Sequence, residues 1–290
     1  EGGSLIPFEA VALVPAFLFS LSSVLTRRGL EGSTPHTGSL VVLLFNFVIF
    51  FIALAWVDFS RIAFSWHWAA FAGAGISSPA LSLLFMYRSI AQMGVAPTNA
   101  IVITNAFFGP FLAFFILGER PHPVIWLGIA IVVCGVWLLM GGADMRKHWR
   151  YIWIPVMSAI CFGLAHNLRK IGFGGMGSLL FGGFLQAASA AAVAPIILKI
   201  ATRGHAYAFN PRSVRYFLLA GLAMAAALLS LLFALRSGQV SLIGPILAAA
   251  PLFALVLTYL LLGSHEKITP RIVGGACLIV SGVVLVASLK

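Results

Sequence analysis

One segment of the sequence occurs twice, and this duplication determines the architecture of the protein. Residues 117–135 read LGERPHPVIWLGIAIVVCG, and residues 262–282 read LGSHEKITPRIVGGACLIVSG. The two stretches align when two residues, Ser264 and His265, are treated as an insertion. The matched residues, at one constant spacing, are Glu119, Pro123, Gly128 and Gly135 in the first stretch and Glu266, Pro270, Gly275 and Gly282 in the second. Internal duplication explains four such matches better than chance does.

A second correspondence lies near the start of each copy. Phe19-Ser20 is followed by Arg27, and Phe162-Gly163 is followed at the same distance by Lys170. The duplication therefore covers nearly the whole chain. We predict one copy over residues 5–142 and the other over residues 150–290.

The composition excludes a soluble domain. Of the 290 residues, 61% are hydrophobic and only 9% are charged, whereas soluble domains carry about 25% charged residues. The net charge is +11, but the bases stand singly or in twos between apolar runs, where they would meet lipid headgroups. We therefore expect a lipid bilayer as a partner and no nucleic acid.

The apolar runs are long enough to cross a membrane as helices, which takes about 20 residues each. Charged and turn-forming clusters divide the chain into ten such spans, at 8–26, 37–57, 66–87, 95–117, 123–141, 151–168, 177–199, 213–235, 240–262 and 269–288. Runs such as 40–45 do not alternate between apolar and polar residues, which excludes a β-barrel. The predicted fold class is an all-α integral membrane protein with ten transmembrane helices.

Each copy contains five predicted spans. Because five is odd, the two copies should cross the membrane in opposite directions, as two inverted five-helix repeats around a central cavity. Inverted repeats of this kind support alternating access, in which the cavity opens to one side of the membrane at a time. The corners at Glu119 and Glu266 should then face opposite sides.

With these motifs the chain resembles the drug/metabolite transporter superfamily, EamA type, and within it the YddG-type amino acid exporters. The resemblance rests on Phe19-Ser20, Arg27, the turn at 117–120 and the Gly128 to Gly135 spacing, with their second copies. Ser20 and the insertion at 264–265 depart from the family pattern. The resemblance implies export of amino acids or related metabolites, a bacterial inner membrane, and both chain termini in the cytoplasm.

The distribution of basic residues indicates a different orientation. The side of the membrane opposite the chain termini would hold twelve Lys and Arg residues, and the terminal side six, including Arg169 and Lys170. Since cytoplasmic loops are rich in basic residues, this count places both termini outside. The sequence leaves the orientation open.

Polar residues inside the spans are the candidates for binding a substrate, because an unpaired polar group in hydrocarbon is costly. They are Asn46, Ser78, Ser82, Tyr87, Asn99, Asn105, His166, Asn167 and Gln186. The alternative is that they only form hydrogen bonds between helices. His166 stands out as the single histidine of seven that lies well inside a span. It is also a candidate for coupling transport to protons, since no span carries an acid near its middle.

Prolines and glycines in the fourth and ninth spans predict interrupted helices at matching places in the two copies, which point to a transport pathway. The predicted hinge residues are Gly109, Pro110, Gly244, Pro245 and Pro251. The alternative is an inert kink. Glu119 and Glu266 are expected to be structural, pairing with Arg120 or Lys267.

The sequence thus predicts a membrane transporter, with no cofactor and no metal site. Its substrate would be an amino acid or related small molecule, held in a mostly apolar cavity. Efflux of drugs or other metabolites is the first alternative, and an intramembrane enzyme or a channel is a remote one. No catalytic pairing of Asp residues and no HExxH motif supports an enzyme. The oligomeric state stays open, and a monomer is compatible with the sequence.

Overall fold

The computed structural model of the chain describes residues 8–59, 62, 65–93, 101–139, 150–175, 178–202, 208–237, 240–262 and 270–288. Within these ranges the regular structure is entirely helical and contains no β-strand. The all-helical class predicted from the sequence is therefore confirmed.

Among the described residues of the first copy, the α-helices are α1 Phe8–Gly29, α2 Pro35–Ala53, α3 His67–Gly75, α4 Ser82–Met93, α5 Asn105–Ile116 and α6 Pro123–Leu139. Short 3₁₀ turns follow α1 and α2, and a π-helical segment, Ile76–Leu81, joins α3 to α4. The second copy contains α7 Trp153–Phe173, α8 Leu179–Thr202, α9 Pro211–Ser237, α10 Val240–Leu247, α11 Ala250–Leu262 and α12 Pro270–Ala287. Proline begins α2, α6, α9 and α12, where its missing N–H has no helical partner to lose.

Four helical stretches are long and apolar enough to cross a membrane, among the described residues: 36–56, 67–86, 179–197 and 211–236. Shorter apolar helices occupy 105–116, 123–138, 240–254 and 273–286. The helix α7 is 21 residues long but carries His166, Asn167, Arg169 and Lys170 in its second half. The protein is a multi-pass membrane protein, and the count of ten spans stays a prediction.

The helices α6 and α12 pack against each other in opposite directions. A Cβ atom on Gly128 would lie 3.2 Å from the carbonyl oxygen of Gly282, and one on Gly135 would lie 2.9 Å from that of Gly275. Gly128 corresponds to Gly275 in the repeat, and Gly135 corresponds to Gly282. The two contacts are therefore equivalent when the copies are exchanged. The helices that follow the Glu119 and Glu266 corners are therefore antiparallel, although Glu266 itself lies outside the described residues.

The remaining helices form two groups that mix the copies. In the first, here called the α1 group, α9 packs on α1 and α2, and α1 also packs on α10 and α11. In the second, the α7 group, α3 and the π segment pack on α7 and α8, and α7 also packs on α4 and α5. Under the duplication, the contacts of α9 with α1 and α2 correspond to those of α3 and the π segment with α7 and α8, and the contact of α1 with α11 corresponds to that of α7 with α5. The groups meet where α2 contacts α8 and α5 contacts α10.

The helices begin and end at two opposite ends of the molecule, which are named here after residues that lie there: the Glu119 end and the Arg28 end. At the Glu119 end, the Glu119 carboxylate reaches Val240, and the ring of His67 lies against Gly175. At the Arg28 end, Ser33 donates a hydrogen bond to the Ala208 carbonyl oxygen. Phenylalanines of α2 and α8, Phe47 and Phe184 among them, pack together towards the Glu119 end, so the two groups are joined there.

Two helices are interrupted at equivalent positions. The first break is a turn at Ile103–Thr104. There the Thr104 N–H donates to the carbonyl oxygen of Ile101, and the Phe107 N–H donates to that of Thr104.

The second break is a turn at Ala248–Ala249. There the Ala249 N–H donates to the carbonyl oxygen of Ile246, and the Leu252 N–H donates to that of Ala249. These bonds sit at the same relative positions in the two copies. Interruption of the fourth and ninth predicted spans is thus observed, at these turns.

Candidate functional site

A buried arginine organises the polar residues inside the α7 group. Arg169, on α7, is only 4% exposed. Its Nε donates a hydrogen bond to Gln186 Oε1 at 2.8 Å, its Nη1 bonds His166 Nδ1 at 3.2 Å, and its Nη2 donates to the Ser78 carbonyl oxygen at 3.3 Å. These four residues, here called the Arg169 cluster, join α7, α8 and the π segment.

The π segment supplies its carbonyl because the helix is broken there. Ser78 has an extended backbone, with φ −148° and ψ 122°, inside an otherwise helical run. The next residue, Pro79, has no N–H to donate and bends the chain away from regular helix. A carbonyl oxygen that leaves the helical ladder needs another donor in a buried setting, and Arg169 provides it.

Serine hydroxyls fix the π segment and α4 against α7. Ser77 Oγ donates to the Cys161 carbonyl oxygen at 2.8 Å, and Ser158 Oγ donates to that of Ser82 at 2.9 Å. The Ser82 hydroxyl lies 3.4 Å from that of Ser78. The structure therefore brings Ser78, Ser82, His166 and Gln186, all predicted binding residues, into one region.

Asn167 faces a different neighbour, the helix α5. Its Nδ2 donates to the carbonyl oxygens of Gly109, at 3.0 Å, and Gly163, at 2.9 Å. The side chain is fully buried, and its Oδ1 accepts no hydrogen bond from the described residues. A buried acceptor of this kind would take a donor from a bound molecule or water.

Asn46 lies apart from the Arg169 cluster, between α2 and α9. Its Nδ2 donates to the carbonyl oxygens of Val42, at 2.9 Å, and Gly221, at 3.1 Å. In the other copy Ser189 lies against Gly75 at the equivalent place. This repeated contact is the kind that holds helices together.

The remaining predicted binding residues are distributed as follows. Asn105 is half-buried at the first position of α5. Asn99 lies outside the described residues, and so does the side chain of Tyr87, which belongs to α4. Their part in binding stays a prediction.

The predicted hinge residues stand beside the interruptions. Gly109 and Pro110 are buried within α5, and Gly244 and Pro245 are buried within α10. The two pairs face each other, because a Cβ on Gly244 would lie 3.5 Å from Pro110 Cδ. Pro251 is in the first turn of α11, and its side chain lies outside the described residues.

Glu119 binds the N-terminus of α10 in place of the ion pair with Arg120 or Lys267 that the sequence predicts. Its Oε1 accepts from the Val240 N–H at 2.9 Å and its Oε2 from the Ser241 N–H at 3.0 Å. These are free donors of the first turn of α10, where a carboxylate is favoured by the helix dipole. Lys170 complements it by donating to the Leu235 carbonyl oxygen at the end of α9, at 2.8 Å.

Sequence reasoning missed Arg169 because it assigned the residue to a loop after 151–168. The helix α7 continues to Phe173, which keeps Arg169 inside the protein. Two adjacent basic residues usually mark a helix end. The available signal was the spacing of three residues from His166, which places both side chains on one helical face.

An apolar groove of about 610 Å³ lies outside the Arg169 cluster, between α5, α6 and α7. Thr104, at the first interruption, and Cys134 are its polar lining residues, and Phe107, Trp126 and Trp137 form much of the rest. None of the predicted binding residues whose side chains the structure describes lines it. Among the described residues, no group of His, Cys, Asp and Glu side chains is arranged to hold a metal ion.

Comparison with known proteins identifies the family. The model of the EamA-like transporter family matches the chain twice, over residues 8–141 and over residues 148–288. Twenty-nine chains of solved structures are similar to it. One of them, described only as the crystal structure of a protein, has a TM-score of 0.79 and 14% sequence identity, over 97% of this chain and 98% of that chain.

At that level of identity, the likeness concerns the fold alone. No curated protein matches the chain. Since the family model accounts for both copies and nearly every described helix, the chain belongs to the EamA-like transporter family, the membrane transporters of the drug/metabolite transporter superfamily.

Proposed function

We propose that the protein exports amino acids or related small metabolites by alternating access across a bacterial inner membrane. Ten transmembrane helices would form two inverted copies, over residues 5–142 and 150–290. The protein would act as a monomer, without a cofactor. Its substrate would bind between the α1 group and the α7 group.

The observation that carries this proposal is the reciprocal packing of the copies. The contact of Gly128 with Gly282 and that of Gly135 with Gly275 exchange under the duplication, and so do the contacts of α9 with α1 and α2 and of α1 with α11. An arrangement with this symmetry has two equivalent ways to close, one at each end. We infer that the groups, each of which mixes both copies, rock against each other.

The interruptions at Ile103–Thr104 and Ala248–Ala249 support a pathway between the groups. A broken helix offers free backbone groups to a substrate and bends at low cost. The predicted hinge at Gly109, Pro110, Gly244, Pro245 and Pro251 would lie next to these turns, where α5 crosses α10.

Uptake into proteoliposomes tests the transport of amino acids. Purified protein is reconstituted, and the uptake of labelled amino acids is measured with and without a pH gradient. We expect uptake of apolar and aromatic amino acids down their own gradient. Competition by sugars or cationic drugs, but not by amino acids, would instead support the alternative of drug or other metabolite efflux.

Cross-linking of introduced cysteines tests alternating access. In a variant without native cysteines, Leu117→Cys and Val240→Cys place two thiols in one apolar cluster that joins α5 to α10. A short bifunctional thiol reagent should abolish uptake, because it ties the two groups at the Glu119 end. A channel would keep conducting.

The matched control bridges two helices within one group. A Cβ on Gly32 would lie 2.9 Å from Asn210 Nδ2, so Gly32→Cys with Asn210→Cys ties α1 to α9. The same reagent should leave uptake intact in this variant, since the α1 group moves as a body. Equal loss in both variants would contradict the proposed moving groups.

A further inference from the structure

Arg169 carries a positive charge inside the helical bundle, and its partners among the described residues are all neutral. Arg169 is bonded to an amide oxygen, an imidazole nitrogen and a backbone carbonyl. The carboxylates among the described side chains lie elsewhere: Glu31 pairs with Arg28 at 3.2 Å, Glu119 binds the N-terminus of α10, and Asp58 is exposed after α2. A buried charge without a counter-charge is costly, and charges inside membranes are usually functional.

The hydrogen bonds of Arg169 leave part of its capacity unused. A guanidinium has five N–H donors and no acceptor. Nε, Nη1 and Nη2 each make one bond in the cluster, so Nη1 and Nη2 each retain one further N–H. One donor on each of the two terminal nitrogens can serve the two oxygens of a carboxylate.

The neighbours of Arg169 orient the guanidinium. Because arginine cannot accept a hydrogen bond, His166 Nδ1 is the acceptor, and the proton of a neutral imidazole then sits on Nε2. Gln186 Oε1 and the Ser78 carbonyl oxygen fix the other two nitrogens. Side chains on a helix lean towards its N-terminus, so the guanidinium leans from the Glu119 end of α7 towards the middle of the protein.

We propose that Arg169 is the binding residue for a carboxylate group of the transported molecule. The proposal rests on the proposed function as a carrier and assigns its substrates to the class of small carboxylates, amino acids included. Gln186, His166 and Ser78 are positioning residues, which hold the guanidinium while the carboxylate supplies the missing negative charge.

The test compares ligands that differ only in the carboxylate. Binding to the purified wild-type protein in nanodiscs is measured for L-phenylalanine and L-phenylalaninamide, and for benzoate and benzamide. We expect each acid to bind at least about tenfold more tightly than its amide, as charge-assisted hydrogen bonds allow. Equal affinities for acid and amide, or no binding of either acid, would overturn the proposal.

Two variants separate binding from a purely structural role. Arg169→Gln should bring the acid-to-amide ratio close to one, while Arg169→Lys keeps part of it. Gln186→Glu is nearly isosteric and places a carboxylate 2.8 Å from Nε. It should therefore abolish the preference for acids without lowering the unfolding temperature.

The control Arg236→Gln removes an exposed charge at the end of α9 and should leave the ratio unchanged. A Gln186→Glu protein that still prefers acids tenfold would overturn the proposal even if Arg169→Gln fails to fold. Failure of the carrier itself looks different. Absence of all uptake by wild-type proteoliposomes would contradict the proposed function, whereas uptake restricted to neutral or cationic solutes would contradict only the role of Arg169.

Discussion

Single buried side chains in this protein hold the helices together by bonding to backbone carbonyls. Asn167 binds two carbonyl oxygens on α5 and α7, and Asn46 binds two on α2 and α9. The bonds of Asn167 form where glycine lets two backbones approach, because a Cβ on Gly163 would lie 2.8 Å from Gly109 N. The geometry makes the amide nitrogen, rather than the oxygen, the important atom of these residues.

Substitution of Asn167 should reveal this directional role. Asn167→Ala removes the side-chain hydrogen bonds to the Gly109 and Gly163 carbonyl oxygens and should lower the free energy of unfolding by about 1–3 kcal/mol. Asn167→Asp should cost more, because a carboxylate oxygen would face two carbonyl oxygens.

Unfolding by SDS titration in mixed micelles measures both effects. Asn105→Ala, a half-buried asparagine at the start of the facing helix, is the control and should change stability by less than about 0.5 kcal/mol. If Asn167→Asp were as stable as the wild type, the amide nitrogen would have no such role.

The sequence was a good guide to polar residues and a poor guide to their partners. The sequence could select Ser78, Ser82, His166 and Gln186, because an unpaired polar group inside a membrane span is costly. Arg169 could not, because only the end of α7 at Phe173 shows that the residue is inside. Asn46 and Asn167 bond to carbonyls whose proximity depends on glycines far away in the chain.

The helix α10 depends on a carboxylate from the other copy. Glu119 accepts from the first two N–H groups of α10, at Val240 and Ser241. The expected ion pair with Arg120 would have been a surface contact of small value. The observed contact instead fixes the start of an interrupted helix to the end of α5.

Neutral and apolar substitutions of Glu119 should weaken this cap in steps. Glu119→Gln keeps one acceptor oxygen and should cost about 1 kcal/mol, and Glu119→Ala removes both and should cost about 2–3 kcal/mol. SDS titration of purified protein measures the differences. Glu31→Gln is the matched control, because its exposed pair with Arg28 should contribute less than about 0.5 kcal/mol. Equal effects at positions 31 and 119 would contradict the capping role.

The contact between α6 and α12 should tolerate no side chain at its glycines. A Cβ on Gly135 would lie 2.8 Å from Ile279 N, and one on Gly282 would lie 2.8 Å from the Gly128 carbonyl oxygen. These are backbone atoms, so Gly135→Ala and Gly282→Ala should each cost about 1–3 kcal/mol.

Gly274 supplies the control, since a Cβ there would meet only the flexible end of Leu138 at 3.3 Å. Gly274→Ala should be close to wild type in the same SDS titration. Because Gly135 and Gly282 are equivalent positions, their alanine variants should have similar costs. A large difference between them would contradict the reciprocal packing.

At the level of elements, the duplicated stretch predicted the antiparallel pair correctly, because its glycines are spaced for one helix face. The interruptions could be predicted to lie in the fourth and ninth spans, from their prolines. Their exact residues could not, since Pro110 and Pro245 fit inside α5 and α10, while the turns at 103–104 and 248–249 contain no proline at all.

The whole molecule is electrically asymmetric. Exposed basic residues of the described ranges gather at the Arg28 end: Arg27, Arg88, Arg150, Lys199, Arg212, Arg215 and Arg271. The Glu119 end has Arg120 and Arg236 exposed. Arg169 no longer counts among the loop charges of that end, because it is buried. The structure therefore strengthens the asymmetry that the sequence indicates.

By the positive-inside rule, this asymmetry predicts that the Arg28 end faces the cytoplasm, opposite to the orientation that the family resemblance implies. Single cysteines in a variant without native cysteines decide between them. Glu31→Cys lies in the turn after α1, at the Arg28 end, and Ser288→Cys lies after α12, at the Glu119 end; both positions are exposed. A membrane-impermeant maleimide applied to intact spheroplasts should label Cys at position 288 and spare position 31.

Permeabilised cells are the control, in which both positions should react. The reverse pattern would mean that the family orientation prevails over the charges, and that twelve basic residues on one side are held outside by the fold of the two copies.

Because an inverted repeat can insert either way, its orientation is set by small charge differences between nearly equivalent ends. Exchange of the asymmetry, by Arg212→Ser and Arg215→Ser at one end and two added lysines in the 119–122 turn, should therefore shift part of the population to the opposite labelling pattern.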